Sequence, residues 1–213
     1  VVYSKSVRRT LTLSVLLLVF GGCMLMPDGY AEMELGSGST LAGEFINAKL
    51  NGKGTYTMTN GLSYSGDWVN DRWHGKGTLM YPNGDKYEGE FVGGFFHLTG
   101  KKQGRGTYTW ADGSRYEGSW KNNHQLVGIE YFPSGDIFKL REYFPETGKA
   151  YGDYLFKDGT SHNDALFING KFVSANVQTP NGNYYKTEVK DDYVIAETNH
   201  RAPLETIGNI LGG

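Results

Sequence analysis

Tyr64-Ser65-Gly66-Asp67-Trp68 recurs as Tyr87-Glu88-Gly89-Glu90-Phe91 and again as Tyr116-Glu117-Gly118-Ser119-Trp120. A weaker copy is Leu41-Ala42-Gly43-Glu44-Phe45. Downstream lie Gly-x-Gly-Thr segments: Gly52-Lys53-Gly54-Thr55, Gly75-Lys76-Gly77-Thr78 and Gly104-Arg105-Gly106-Thr107. A turn dipeptide comes next, as Asn60-Gly61, Asn83-Gly84 and Asp112-Gly113. The copies that start at 41, 64 and 87 are 23 residues apart, and the copy starting at 87 carries six extra residues. The turn glycines continue the ladder as Gly38, Gly61, Gly84, Gly113, Gly135, Gly159 and Gly182. A fixed period of this size marks a repeat architecture, and it takes precedence over any local reading.

Each unit reads as a β-hairpin. Tyr64, Gly66 and Trp68 alternate, so they share one face of a strand, and Gly75, Gly77, Leu79 and Tyr81 share a face of the next. Asn-Gly and Asp-Gly predict two-residue turns in which both residues take positive φ. The glycines leave room for facing aromatic rings. Glycine reaches 31 of 213 residues, about twice the usual share, and the 15 tyrosines rise with it. One hairpin is marginal alone, so the units must stack. The expected fold is all-β: an elongated, curved antiparallel sheet of stacked hairpins. Residues 32–137 hold the clear repeats. Residues 138–195 read as degenerate copies, or as a separate small β module with the same spacing. Residues 196–213 form a tail, with a short helical cap expected over Leu204 to Leu211 after Pro203.

These motifs resemble the MORN repeat, the membrane occupation and recognition nexus module. The resemblance is carried by Tyr-x-Gly-x-Trp/Phe, Gly-x-Gly-Thr-aromatic and Asp/Asn-Gly over residues 41–137. In the unit at 116–137, Val127 replaces the first glycine of the pair. The resemblance implies a non-catalytic platform. It also implies membrane association, phosphoinositide or acidic-phospholipid contact, or protein scaffolding.

Residues 1–31 read as a signal peptide or membrane anchor. Lys5, Arg8 and Arg9 precede the apolar run from Leu11 to Phe20, and no charge occurs from Thr10 to Pro27. Three readings stay open. Val19-Phe20-Gly21-Gly22-Cys23 resembles a bacterial lipoprotein processing site, which would make Cys23 the lipidated residue. The segment also fits an uncleaved signal anchor, or cleavage after Ala31. The basic residues precede the apolar run, so the repeats are expected on the exported side. The membrane is thus one expected partner, and the localisation is membrane-associated or cell envelope.

The 21 basic and 23 acidic residues leave no basic footprint, which argues against nucleic acid as a partner. A single cysteine excludes an intrachain disulfide. His74, His97, His124, His162 and His200 show no metal-ligand spacing, and there is no Gly-x-Ser-x-Gly elbow. Neither a catalytic residue, a metal nor a cofactor is expected.

The departure with most functional content is the extension of the third unit. Phe95 and Phe96 are followed by Lys101, Lys102 and Arg105, with no acidic residue between Glu90 and Asp112. Rings beside cations suit an anionic membrane interface, so these five residues are candidates for lipid or partner contact. The competing reading is a longer hairpin that packs on its own sheet. Tyr64, Trp68, Tyr87, Phe91, Tyr116 and Trp120 form either a hot-spot row for a protein partner or, the favoured reading, the stacking core.

Overall fold

The computed structural model describes residues 28–95, 100–190, 193–196 and 201–203. The chain divides into two compact units, one up to Lys101 and one from Lys102. The first holds β1 (Gly29–Glu34), β2 (Thr40–Ile46), β3 (Lys49–Thr57), β4 (Ser63–Val69), β5 (Arg72–Met80) and β6 (Lys86–Phe95). The second holds β7 (Lys101–Thr109, which starts at the boundary), β8 (Arg115–Lys121), β9 (His124–Tyr131), β10 (Ile137–Phe144) and β11 (Lys149–Leu155). It continues with β12 (Ser161–Ile168), β13 (Lys171–Gln178), β14 (Tyr184–Lys190), β15 (Tyr193–Ala196) and β16 (Arg201–Pro203). Within each unit the strands pair antiparallel in sequence order. The all-β hairpin reading thus describes the strands. The amino-terminal apolar segment with Cys23, and the stretch from Leu204, lie outside the described residues.

Alternation sorts the side chains. In β4, Tyr64 and Trp68 are buried, whereas Ser65 and Val69 are exposed. Tyr64 stacks on Trp73 at 4.2 Å between centroids and meets Trp68 and Phe91 edge-on at 5.3 and 5.1 Å. Tyr87–Phe91 and Tyr116–Trp120 repeat the edge-on pair at 5.0 and 5.3 Å. Such pairs contribute about 0.5–1.5 kcal/mol each beyond area burial. The polar tips are satisfied as well. The Tyr64, Tyr87 and Tyr116 hydroxyls donate to the carbonyls of Asp67, Glu90 and Ser119, three residues on. Trp68 Nε1 and Trp120 Nε1 donate to the carbonyls of Gly54 and Gly106 on the preceding strand.

The glycine pairs make this packing possible. Gly66 and Gly77 face each other across β4 and β5. A Cβ on Gly77 would lie 2.5 Å from the Tyr64 ring, and one on Gly66 would lie 2.6 Å from its hydroxyl. Gly128 stands in the same relation to Tyr116, at 2.6 Å. In β11, Gly152 has Phe138 at 2.5 Å, while Leu140 is its partner across the ladder.

The turns differ from the sequence expectation. At Asn60-Gly61, Asn83-Gly84 and Asp112-Gly113 only the glycine has positive φ, near 90°. Each closes through two backbone bonds, such as Met58 N to the Leu62 carbonyl and Gly61 N to the Met58 carbonyl. This is the three-residue loop with glycine in the left-handed position. The residue before the glycine keeps negative φ because its side chain caps the turn: Asn60, Asn83 and Asp112 Oδ1 accept from Leu62, Asp85 and Ser114 N. The same backbone pair of bonds recurs at Gly38, Gly135, Gly159 and Gly182.

Turns with two positive-φ residues sit at the opposite ends of the strands, as Asn47-Ala48, Asn70-Asp71, Asn122-Asn123 and Asn169-Gly170. Three of the four contain no glycine. Side chains that bridge to the preceding hairpin offset the strain: Asp71 Oδ1 accepts from Leu50 N at 2.7 Å, and Asn123 Oδ1 from Lys102 N at 2.8 Å. Asn70 N and Asn122 N in turn donate to the side chains of Asn51 and Gln103. These bonds stack each turn on the one before.

Gly77→Ala is expected to destabilise the protein by about 1–3 kcal/mol, because the buried Tyr64 ring has no room to retreat. Gly36 has open space and ordinary φ. Gly36→Ala should therefore stay within about 0.5 kcal/mol of the parent in the same denaturant titration.

Candidate binding surfaces

Each unit carries one cleft worth considering, and each is built from repeat positions. In the first unit a cleft of about 550 Å³ lies beside the Asn70-Asp71 turn, lined by Lys49, Val69, Arg72, Trp73, His74 and Val92 among others. Val69 and Val92 are exposed apolar side chains. Trp73 is buried, and among the described residues its Nε1 finds no hydrogen-bond acceptor. Trp68 and Trp120 differ in this respect, because each finds a glycine carbonyl.

In the second unit an open groove of about 470 Å³ is lined by Lys102, Tyr108, Trp110, Trp120, His124, Gln125, Glu130, Phe138, Leu140, Tyr143, Ala150 and Phe167 among others. Tyr108 lies 4.9 Å from Trp110 and 6.2 Å from Trp120. The Lys102 ammonium sits over the Tyr108 and Trp120 rings at 4.5 and 5.0 Å, within cation–π range. Glu130 is half-buried, opposite Tyr116 on β8 and Phe138 on β10. Burial is the main cause, and the Asp112 charge the second, that pushes its carboxyl up to about 7. Asp136 approaches from the next turn, where the Tyr154 hydroxyl donates to its Oδ2 at 3.5 Å. Burial and the charge of Asp136, with a smaller push from Glu130, hold the Tyr154 phenol above its usual range.

The candidates from the third-unit extension fall in different places. Phe96, residues 97–99 and the side chain of Phe95 lie outside the described residues. Lys101 and Arg105 are exposed, whereas Lys102 is half-buried against its own sheet. The cause is register. Lys102 stands two residues before Gly104, as Leu50 and Trp73 stand before Gly52 and Gly75. It therefore occupies an inward position and differs from its neighbours. The six repeat aromatics, Tyr64, Trp68, Tyr87, Phe91, Tyr116 and Trp120, are all buried.

Comparison with protein families finds five matching segments, at residues 42–63, 64–86, 87–97, 100–115 and 116–137, all to the MORN repeat. These segments, a little under half of the chain, are similar to that repeat. Among curated proteins, none matches the sequence. Solved structures give loose likenesses. The TCP domain of SAS-4 (dCPAP) from Drosophila melanogaster, in complex with a proline-rich motif of Ana2 (dSTIL), is 14% identical with a TM-score of 0.38. It covers 80% of this chain and 99% of its own. The wild-type TCP10 domain of Danio rerio CPAP is 14% identical, with a TM-score of 0.18, over 76% of this chain and 90% of that one. An inactive H270A virginiamycin B lyase from Staphylococcus aureus with quinupristin is 11% identical, with a TM-score of 0.16, over 82% and 69%. These values are too low to carry an argument about function.

One inward position of the repeat register carries a carboxylate. Tyr56, Leu79 and Tyr108 each stand two residues after the second glycine of the pair, and Glu130 takes that position after Gly128. The signal was present as a carboxylate in an apolar column. It was missed because Val127 had already marked that unit as drifting.

The sign of the pH effect follows from the direction of the shift. The Glu130 carboxyl lies above its unfolded value near 4.5, so the folded state holds its proton more tightly. Its contribution is complete below about 4.5 and is lost as pH rises through about 7. His162, buried beside Phe156 and Phe172 and pushed down to about 4, acts the opposite way. It is common to parent and variant. Glu130→Gln should therefore gain stability over the parent between pH 5 and pH 8, by on the order of 2 kcal/mol, in unfolding titrations at the two pH values.

Proposed function

We propose that this chain is a non-catalytic repeat scaffold that mediates protein or membrane contacts, tethered to or exported across a membrane by residues 1–31. The observation that carries the contact role is the open aromatic groove of the second unit, which leaves Trp110 and Tyr143 half-buried on a sheet face. Half-exposed aromatic clusters are the surface type that partners use as anchors. The MORN repeats agree with a platform role. We infer that residues 138–195 are diverged copies. This is supported by the turn bonds at Gly135, Gly159 and Gly182 and by Gly152 under Phe138. The address is cell envelope or membrane, with Cys23 as the residue that lipidation would modify.

A second reading, an acidic-phospholipid module built on 95–105, is supported by the exposure of Lys101 and Arg105. Co-sedimentation of residues 28–213, which keep β1 whole, with neutral and anionic vesicles at two salt concentrations separates the two. Salt-sensitive binding to anionic vesicles favours lipid recognition by the repeats. No binding leaves the membrane address to residues 1–31 and the groove to a protein.

On the lipid reading, the double change Lys101→Glu and Arg105→Glu weakens anionic vesicle binding, each cation being worth about 1 kcal/mol near such a surface. Lys102→Glu acts differently, since it sets a carboxylate against two ring faces and should lower the unfolding midpoint. Equal effects of the two changes on vesicle binding would refute this division of roles.

A further inference from the structure

Building on the reading of the second-unit groove as a partner site, we propose that it receives an extended polypeptide segment, with a lysine or arginine side chain of that segment paired to Glu130. Three observations carry this. Glu130 occupies a repeat position that is otherwise Tyr56, Leu79 or Tyr108, and burying a carboxylate there is costly unless a cation pairs with it. Among the described residues, no hydrogen bond or ion pair reaches its carboxylate. The titratable groups that face it are Tyr116 from β8, Asp112 from the β7–β8 turn and Tyr154 from β11, with Asp136 beside Tyr154. None of these is a cation, and His124, which also lines the groove, lies beside Tyr143. Lys102, the one lysine or arginine lining the groove, is held over Tyr108 and Trp120.

The dimensions favour a peptide over a small amine. The groove is lined from β7 (Tyr108) through β8, β9, β10 and β11 to β12 (Phe167). Six neighbouring strands span roughly 24 Å, the reach of about seven extended residues. The lining chemistry also fits a basic side chain. Its methylene stem packs on rings while its charged end seeks a carboxylate, and guanidinium groups stack on aromatic faces. Anionic headgroups are the poorer match, because Glu130, Asp112 and Asp136 repel them.

The test uses the full chain in neutral detergent and a positional-scanning library of acetylated, amidated octapeptides, read by Trp fluorescence. At pH 8 one library position should prefer Lys and Arg over Leu and Glu. Glu130→Gln, which keeps the shape and removes the charge, should reduce that preference at least about tenfold, consistent with loss of a partly desolvated ion pair. The preference should also fade in the parent, but not further in Glu130→Gln, as pH falls from 8 to 6. Peptide binding without a basic preference, or with one that Glu130→Gln leaves intact, overturns the pairing and leaves the scaffold reading standing. Absence of peptide binding together with anionic vesicle binding overturns the pairing and moves the function to lipid. Absence of both overturns the pairing and the contact role of the groove together.

Discussion

The packing of a tyrosine ring over a pair of facing glycines is the contact on which the rest of the structure depends. Tyr64 lies where the Cβ atoms of Gly66 and Gly77 would otherwise be. The missing side chains let the ring lie close against the backbone, with its hydroxyl on the carbonyl of Asp67. From there it reaches Trp68, Trp73 and Phe91, which come from its own strand, from the next strand β5 and from β6 beyond it. No single hairpin holds all of these rings. The hydrophobic gain therefore belongs to the stack and not to the unit, which is the general condition of repeat proteins. It also explains why glycine and aromatic residues are enriched together.

The two ends of the strands solve the chain-reversal problem in different ways. At one end glycine takes the left-handed position and a short polar side chain caps the turn. At the other, asparagine and aspartate take positive φ. Their side chains hold the backbone of the preceding hairpin, as Asp71 holds Leu50 and Asn123 holds Lys102. The glycine turns need only local chemistry. The asparagine turns bind one repeat to the next, so their residues act in both turn formation and stacking.

Functional content lies where individual repeats depart from this plan. Lys102 stands at the inward position of Leu50 and Trp73, and its ammonium lies over the Tyr108 and Trp120 rings. Glu130 stands in the column of Tyr56, Leu79 and Tyr108 and has no such accommodation, so its carboxyl is pushed up to about 7. Both departures line the same groove. A lysine in the column of Leu50 and Trp73 and a glutamate in the column of Tyr56 and Leu79 weaken the core as a structural element. They also give that face a chemistry that the first unit does not have.

Much of the fold was legible in the order of residues. Period two in the strands, the glycine ladder and the Tyr-x-Gly-x-Trp motif are local patterns, and local sterics and hydrophobic alternation are enough to read them as hairpins. The turn types were misassigned because Asn-Gly is compatible with more than one loop. The choice rests on a side-chain cap and on which end of the strand meets the preceding hairpin. The candidate site was less legible. Exposure of Lys101 and Arg105 follows from their place on the strand, but the inward placement of Lys102 required the repeat register to be applied through a motif that read as a surface loop. The sequence by itself determined an all-β chain of hairpin units with its aromatic residues on one face. The tertiary structure decided which charged residues share a groove, because Lys102 and Glu130 meet the same cavity only when the strands between them are paired and the rings of neighbouring units have packed.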